Sequence, residues 1–380
     1  MRRLFLLFHG RFPGEKAASL FAAKSAEAFA EQGLLVEVLV PKRKGTQPRQ
    51  SFEYFGVARN FAVIELPTVD FYSWKIPHSL AFYLNFLAFS VACFRYLRKQ
   101  KITDRDVAYS NESLPLFIAS LTGLKAFYEM HDFPESKFRI FGLLLSRYVW
   151  ILIHNRWKVN EFRRIFPGVK AKVICEPNAV DPREFELSLS KEEARRTLDL
   201  KLDNDDRKII VYTGHLFGWK GVETLAEAAK LLGGGYLVFF IGGTEKDVSD
   251  FKRRYGHISN IRILGHRPHK EIPIWQKAAD ALVLPNTAKE AISAYYTSPM
   301  KLFEYMASLR PVVASDIPSI REIVDETCAV MVKPDDAEAL AEAIRSVFER
   351  SDIDTLTGAA LVRVRSHTWR ERAKRIIAFM

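Results

Sequence analysis

Along the chain, short continuous apolar runs alternate with stretches whose apolar positions recur every three to four residues, the two signatures of buried strands and amphipathic helices. Leu4 to Phe8 and Leu35 to Val40 read as strands, and Leu20 to Gln32 between them as a helix closed by Gly33. This is a βαβ unit. Residues 57–66 and 106–109 read as further strands flanking an apolar helix from His78 to Lys99. Ala126 to Asp132 is a strand ending in His131-Asp132, Phe138 to Ile153 a strongly apolar helix, and Ala171 to Cys175 a strand. A charged stretch from Ser188 to Arg207, with a short helix and the polar turn 203–206, suits an interdomain connection. The pattern then restarts. Ile209 to Thr213, Tyr236 to Gly243, Ile261 to Leu264, Ala281 to Pro285 and Arg310 to Ser315 read as strands, and Val222 to Leu232, Ala337 to Phe348 and a terminal segment from Thr368 as helices. Strands alternating with helices twice over predict an α/β protein with two Rossmann-like domains. The length of 380 residues agrees, because one core rarely grows beyond about 250 to 300 residues.

Three loops carry candidate chemistry. In the stretch Tyr295 to Glu322, Ser298 is expected as N-cap and Pro299 as first helical residue of a helix holding Met300 to Ala307. Such a terminus favours phosphates, and Glu304 one turn further in can accept two hydrogen bonds from a ribose diol. Phosphate plus ribose points to a nucleotide. The plainer alternative is an amphipathic helix with Leu302, Phe303 and Met306 buried and Lys301 and Glu304 solvated. A second loop, Gly214 to Gly221, places Lys220 at a helix start in a glycine-bearing turn, a phosphate-cradling design without the spacing of an NTPase loop. The third follows the first strand. It holds Gly14 but no G-x-G-x-x-G, which argues against nicotinamide binding. His131 ends a strand at the edge where α/β sheets bind ligands.

Composition adds limits. Cys93, Cys175 and Cys328 have neither disulfide nor zinc spacing, so the cytosol is the default compartment. Arg2-Arg3 ahead of a short apolar run does not make a signal peptide, and Leu80 to Phe94, broken by Asn85 and Ser90, is too short to span a membrane. The net charge of +11 calls for anionic partners. Lys137 to Lys172 holds nine basic residues and one acidic, Glu161, interleaved with aromatics. Nucleic acid, an anionic membrane surface, a phosphorylated substrate or a solvated helix face all fit that run.

The stretch Tyr295 to Glu322 resembles the donor-binding region of family 4 of the retaining glycosyltransferases (glycosyl transferases group 1), whose pattern is E-x7-E-A-M-A-x-G-x-P-V-V-A-S. Glu304 matches the second glutamate, Tyr305-Met306-Ala307 the triplet after it, and Pro311 to Ser315 the strand. Tyr296 falls where the first glutamate stands, and the usual glycine is placed at Arg310. Gly214 to Gly221 resembles the family's G-R-L-x-x-x-K-G, with Lys220 matching the lysine and His215 replacing the arginine. Pro177 to Phe185 resembles P-N-G-V-D-x-x-x-F, with Ala179 in the glycine position.

The resemblance implies a GT-B fold: an acceptor domain, 1–187, completed by a terminal helix, 366–380, that crosses back to it, and a donor domain, 188–365, facing it across a cleft. It implies retaining, metal-independent transfer of a sugar from a UDP- or GDP-linked donor to a glycan, lipid-linked or small-molecule acceptor, with no cofactor and no nucleic acid. Lys220, His131 and Glu304 become catalytic candidates. Gly14, Glu15, Lys16, Gly214, His215, Gly243, Arg267, Ser298, Pro299, Met300 and Lys301 join Glu304 as donor-binding candidates. A cytoplasmic protein is expected, with peripheral attachment at the inner face of a membrane, through the basic run and the helix from His78 to Lys99, if Arg147, Arg156, Lys158, Arg163 and Arg164 share a face with exposed Trp or Phe side chains; the competing reading makes Trp150, Trp157 and Phe162 core residues. The departures at His215, Tyr296 and Arg310 keep open a non-catalytic binding protein on the same fold.

Overall fold

The protein is described here by a computed structural model that covers all residues except 1, 15, 16, 44, 46, 48, 49, 132, 134–137 and 201–205. The chain forms two compact units, Met1–Glu176 together with Trp369–Met380, and Pro177–Thr368. The first contains β1 (Arg3–Leu7), β2 (Leu35–Pro41), β3 (Ala62–Leu66), β4 (Val107–Ser110), β5 (Lys125–Met130), β6 (Trp150–Ile153) and β7 (Lys172–Cys175), in the order β3-β2-β1-β4-β5-β6-β7. The second contains β8 (Lys208–Thr213), β9 (Tyr236–Ile241), β10 (Ile261–Gly265), β11 (Ala281–Leu284), β12 (Val312–Ser315) and β13 (Val330–Val332), in the order β10-β9-β8-β11-β12-β13. All neighbours pair parallel. Both sheets reverse direction beside their first strand, between β1 and β4 and between β8 and β11, and such switch points open a crevice at the carboxyl edge.

The strands follow from their composition. β4, β6, β11 and β12 are buried at every position, as expected of strands covered on both faces. The same rule corrects one expectation. Phe138 to Ile153 is not one helix: a helix spans Phe138–Leu145, and Trp150-Ile151-Leu152-Ile153 is β6, paired with β5 and β7. Continuous apolar side chains with no polar face suit a central strand better than a helix. Trp150 and Phe162 accordingly lie in the core. The first helix begins at Ala17, ahead of the expected Leu20, and the segment from 57 is strand only over Ala62–Leu66.

The helix Trp369–Phe379 completes the first unit. Arg372, 2% exposed, donates from Nη2 to Glu129 Oε1 at 2.6 Å, and the same oxygen lies 2.8 Å from His154 Nε2. Tyr109 donates its hydroxyl to Glu129 Oε2. Arg375 holds Glu176 at 2.6 and 2.9 Å, and Trp369 meets the edge of Phe21. Burial alone would raise the pKa of Glu129; the Arg372 guanidinium and the histidine contacts outweigh it and hold the carboxyl well below its ordinary range. Residues 177–187, placed by sequence with the first domain, sit in the second unit: Val180 bridges Thr368, and Asn178 hydrogen bonds to Ser298.

Replacing Glu129 by Gln leaves the buried Arg372 cation without its countercharge, and a loss of about 3 to 5 kcal/mol is expected in urea unfolding. The folded pKa of Glu129 is depressed, so its contribution is present above the unfolded carboxylate range and lost as pH falls through the folded value. The gap between wild type and variant should therefore close in acid. An unchanged urea midpoint at neutral pH would show that the pair is not stabilising.

Candidate functional site

The loops leaving β8 and β11 meet at the switch point of the second unit. Gly221, φ +69°, packs so closely that a Cβ there would lie 1.7 Å from the Pro285 carbonyl oxygen. Gly214, φ +127°, leaves room for Lys301, whose Nζ would lie 2.5 Å from a Cβ. Only glycine fits either position without displacing its neighbour.

The helix Met300–Ala307 is fixed to the end of β8 by Tyr305, whose buried hydroxyl accepts from Thr213 N at 2.8 Å. This anchor places Lys301 and Glu304. Lys301 Nζ donates to the Tyr212 hydroxyl at 2.8 Å and lies 4.1 Å from the centroid of that ring, while the Tyr212 hydroxyl donates to the His215 carbonyl at 2.7 Å. Lys220 closes the 3-10 turn Gly218–Lys220, its Nζ 4.9 Å from the Trp219 ring centroid. The two lysine side chains lie close enough to act on each other's titration. Burial lowers the Lys220 pKa to about 8, partly offset by Lys301 and Glu304. Burial and the neighbouring Lys220 push Lys301 well below the ordinary lysine range. Burial raises the Glu304 carboxyl, against the nearby His269 and Lys301. Two amines and one carboxyl, each half-buried, thus meet at the switch point.

Other candidates fall around this centre. His215 stacks on Phe217, ring centroids 4.9 Å apart and planes 5° from parallel, with its Nδ1 3.9 Å from Asp247. Burial of its inner part and Lys220 lower its pKa. Gly243 follows β9 with φ +94°, and Arg267, half-buried, follows β10. Ser298 is not the cap of the helix. Pro299 occupies that position and no side chain caps the first turn; Ser298 Oγ instead accepts from Asn178 N at 3.2 Å. The glycine of the family pattern also needs reassignment. Leu309, not Arg310, takes the left-handed backbone, φ +56°, that glycine favours, and counting back from Pro311 gives the same position. Tyr296 ends a π-helical turn, Ile292–Tyr296.

In the first unit, His131 follows β5 with Nε2 3.2 Å from Glu129 Oε1 and its ring edge-on to Phe21. Gly14 lies in the loop after β1, where a Cβ would come 2.7 Å from the Arg11 carbonyl oxygen. Glu15 and Lys16 fall outside the described residues. Glu129, His131 and His154 bring one ligand atom each within 4.8 Å, a spacing that suits a metal ion. Arg372 sets its guanidinium against the same Glu129 oxygen, and a second cation there would meet its charge, so the cluster reads as a lock for the terminal helix. Sequence reasoning missed a further polar cluster at the switch point of this unit. His9 N donates to Glu112 Oε2 at 3.0 Å, and Arg43 Nη2 lies 3.1 Å from His9 Nε2. Burial and Arg43 bring His9 down to about 4, and burial raises Glu112 to about 8. The available signal was position: each follows the end of a strand bordering the switch point.

Residues 207–350 match the family model described as Glycosyl transferases group 1. A putative teichuronic acid biosynthesis glycosyltransferase, TuaC of Bacillus subtilis, is 31% identical over 156 residues, 41% of this chain and 36% of that protein. The chain therefore spans well under two thirds of that relative's length. Sucrose-phosphate synthase from Thermosynechococcus elongatus superimposes with a TM-score of 0.77 at 18% identity, over 100% of this chain and 98% of the other. HepE from Anabaena, in complex with UDP and glucose, superimposes with a TM-score of 0.73 at 17% identity, over 99% of this chain and 98% of the other. The chain has the GT-B fold, and its residues 207–350 carry the glycosyl transferases group 1 pattern.

Proposed function

We propose that the protein is a glycosyltransferase that takes a sugar from a nucleoside-diphosphate donor held by the second unit. The observation that carries this is the pair Lys220 and Lys301, brought together at the β8/β11 switch point beside a helix whose first turn no side chain caps. Ammonium groups and open helical N–H groups are what a diphosphate needs. Lys301 fills the role of the arginine that His215 replaces in the family pattern. Glu304, one turn into the helix, accepts the ribose hydroxyls. A UDP- or GDP-linked donor fits, and the complex of the Anabaena neighbour with UDP and glucose supports the first of these.

The reaction proposed is retaining and metal-independent. The bond from the anomeric carbon to the phosphate oxygen breaks, the acceptor oxygen bonds on the same face, and the acceptor proton passes to the departing diphosphate. Double displacement would instead require a carboxylate at the anomeric carbon. Glu304 is assigned to the ribose, so catalysis rests on stabilising the leaving diphosphate, the task of Lys220, Lys301 and the helix terminus. The acceptor is a glycan, a lipid-linked glycan or a small molecule. The replacement at His215 favours a second reading, a binding protein that holds the nucleotide sugar without turnover. Slow hydrolysis of the donor in the absence of acceptor separates the two.

Lys220→Ala and Lys301→Ala should each lower kcat more than donor affinity, because negative charge on the diphosphate grows as the glycosidic bond breaks. Turnover unchanged at saturating donor in both variants would remove the lysines from catalysis. Chelation by EDTA should leave the wild-type rate unaltered.

Donor affinity should be highest below about pH 8 and fall as pH rises through the Lys220 pKa, since the charged amine binds the diphosphate. Calorimetry near pH 8 in buffers of different ionisation enthalpy should also show proton uptake, as the diphosphate draws Lys220 into its charged form. A pH-independent affinity between about pH 7 and 9 would contradict this coupling.

Glu304→Gln should weaken nucleotide binding by roughly 1 to 3 kcal/mol through loss of a charge-assisted acceptor. Unaltered affinity in a direct titration would place the ribose elsewhere.

A further inference from the structure

The two units carry very different charge. Residues 1–176 and 369–380 hold 30 Lys and Arg against 16 Asp and Glu, a formal +14, whereas residues 177–368 hold 26 against 29, a formal −3. Of the 20 large apolar side chains exposed among the described residues, 15 also lie in the first unit. Excess cations and uncovered apolar surface coincide there.

They converge on the helix His78–Leu97, which is long and apolar enough to cross a membrane and contains no acidic residue. It does not cross one in this fold, because Phe89, Cys93 and Leu97 are fully buried in the core beneath it. Its buried positions Ala81, Asn85, Phe89, Cys93 and Leu97 recur every fourth residue. The opposite face should therefore be polar. It carries instead Leu80, Tyr83, Leu87 and Val91, 48%, 65%, 49% and 39% exposed. Their spacing of three, four and four residues sets them in one stripe roughly 16 Å long. Arg95, Arg98 and Lys99 are exposed at one end of the stripe; Trp74 and Lys75 are exposed just before the helix. Contiguous apolar surface of this kind marks a docking site.

We propose that this face rests on an anionic lipid bilayer, with the stripe at the headgroup boundary and Lys75, Arg95, Arg98 and Lys99 against lipid phosphates. An interfacial helix is recognised by an apolar face flanked by cations and by Trp or Tyr near its ends, and all three are present. Charge selects the bilayer over a second copy of the chain, because self-association would press two units of +14 together. The basic run 137–172 is not the main contact, since Trp150 and Phe162 point into the core. The inference does not depend on the transferase reading.

The test is flotation of the full chain with vesicles of phosphatidylcholine alone or mixed with phosphatidylglycerol, at low and high salt. The wild type should float with the anionic vesicles at low salt and be released by high salt or by omission of phosphatidylglycerol. The triple variant Leu80→Gln/Tyr83→Gln/Leu87→Gln should partition at least about tenfold less with an unaltered melting temperature, all three side chains being exposed. Replacing Arg95, Arg98 and Lys99 by Gln should lower binding only at low salt. Failure of the wild type to float with anionic vesicles, or equal flotation of the apolar variant, would overturn the proposal. So would a concentration-dependent dimer in sedimentation that the apolar variant abolishes, which would assign the face to a second copy.

Discussion

A parallel sheet returns its chain by crossover, so every loop that follows a strand emerges at the same edge. In the second unit this constraint acts most strongly between β8 and β11, where the crossovers part to opposite faces and the loops are pressed together. The contact of Gly221 with the Pro285 carbonyl is its tightest expression. Lys220 is delivered by one loop, Lys301 by the helix that Tyr305 pins to β8, and their meeting follows from the sheet order rather than from their distance in sequence.

That arrangement explains why burial matters more than charge number in this pocket. In water two ammonium groups a few ångströms apart repel weakly, by about 1 kcal/mol, but with water excluded the repulsion grows several-fold and is relieved by losing a proton. The Lys301 amine sits against Tyr212, to whose hydroxyl it donates. A dianion placed beside both amines would act in the opposite direction and favour the charged form of each. A single arginine in the place of His215 would remain charged throughout, which distinguishes this chain from the pattern it resembles.

Much of the fold was legible because the strands are buried on both faces and so appear as continuous apolar runs. The same property misled at Phe138 to Ile153, where a helix and a central strand are both apolar and periodicity cannot divide them. Lys220, Lys301 and Glu304 were found from local motifs, and the structure brings them together. Ser298 was misread because its hydroxyl has a nonlocal partner, Asn178, that competes with capping. The departure from the glycine pattern was placed one residue late, and only the backbone angle of Leu309 fixes it. His9 and Glu112, or Arg372 and Glu129, are separated by long stretches of sequence and no local pattern joins them.

Arg372 and Glu129 are 243 residues apart in the chain, yet they belong to one core. The first unit therefore cannot be completed when its own first 176 residues have been made. During synthesis Glu129 must wait for its Arg372 partner until the whole of the second unit has been added and the helix Trp369–Phe379 follows. Domains made first ordinarily fold first. Here the order is reversed at its last step, and a ribosome that stops after Thr368 would release a finished second unit attached to an unfinished first one.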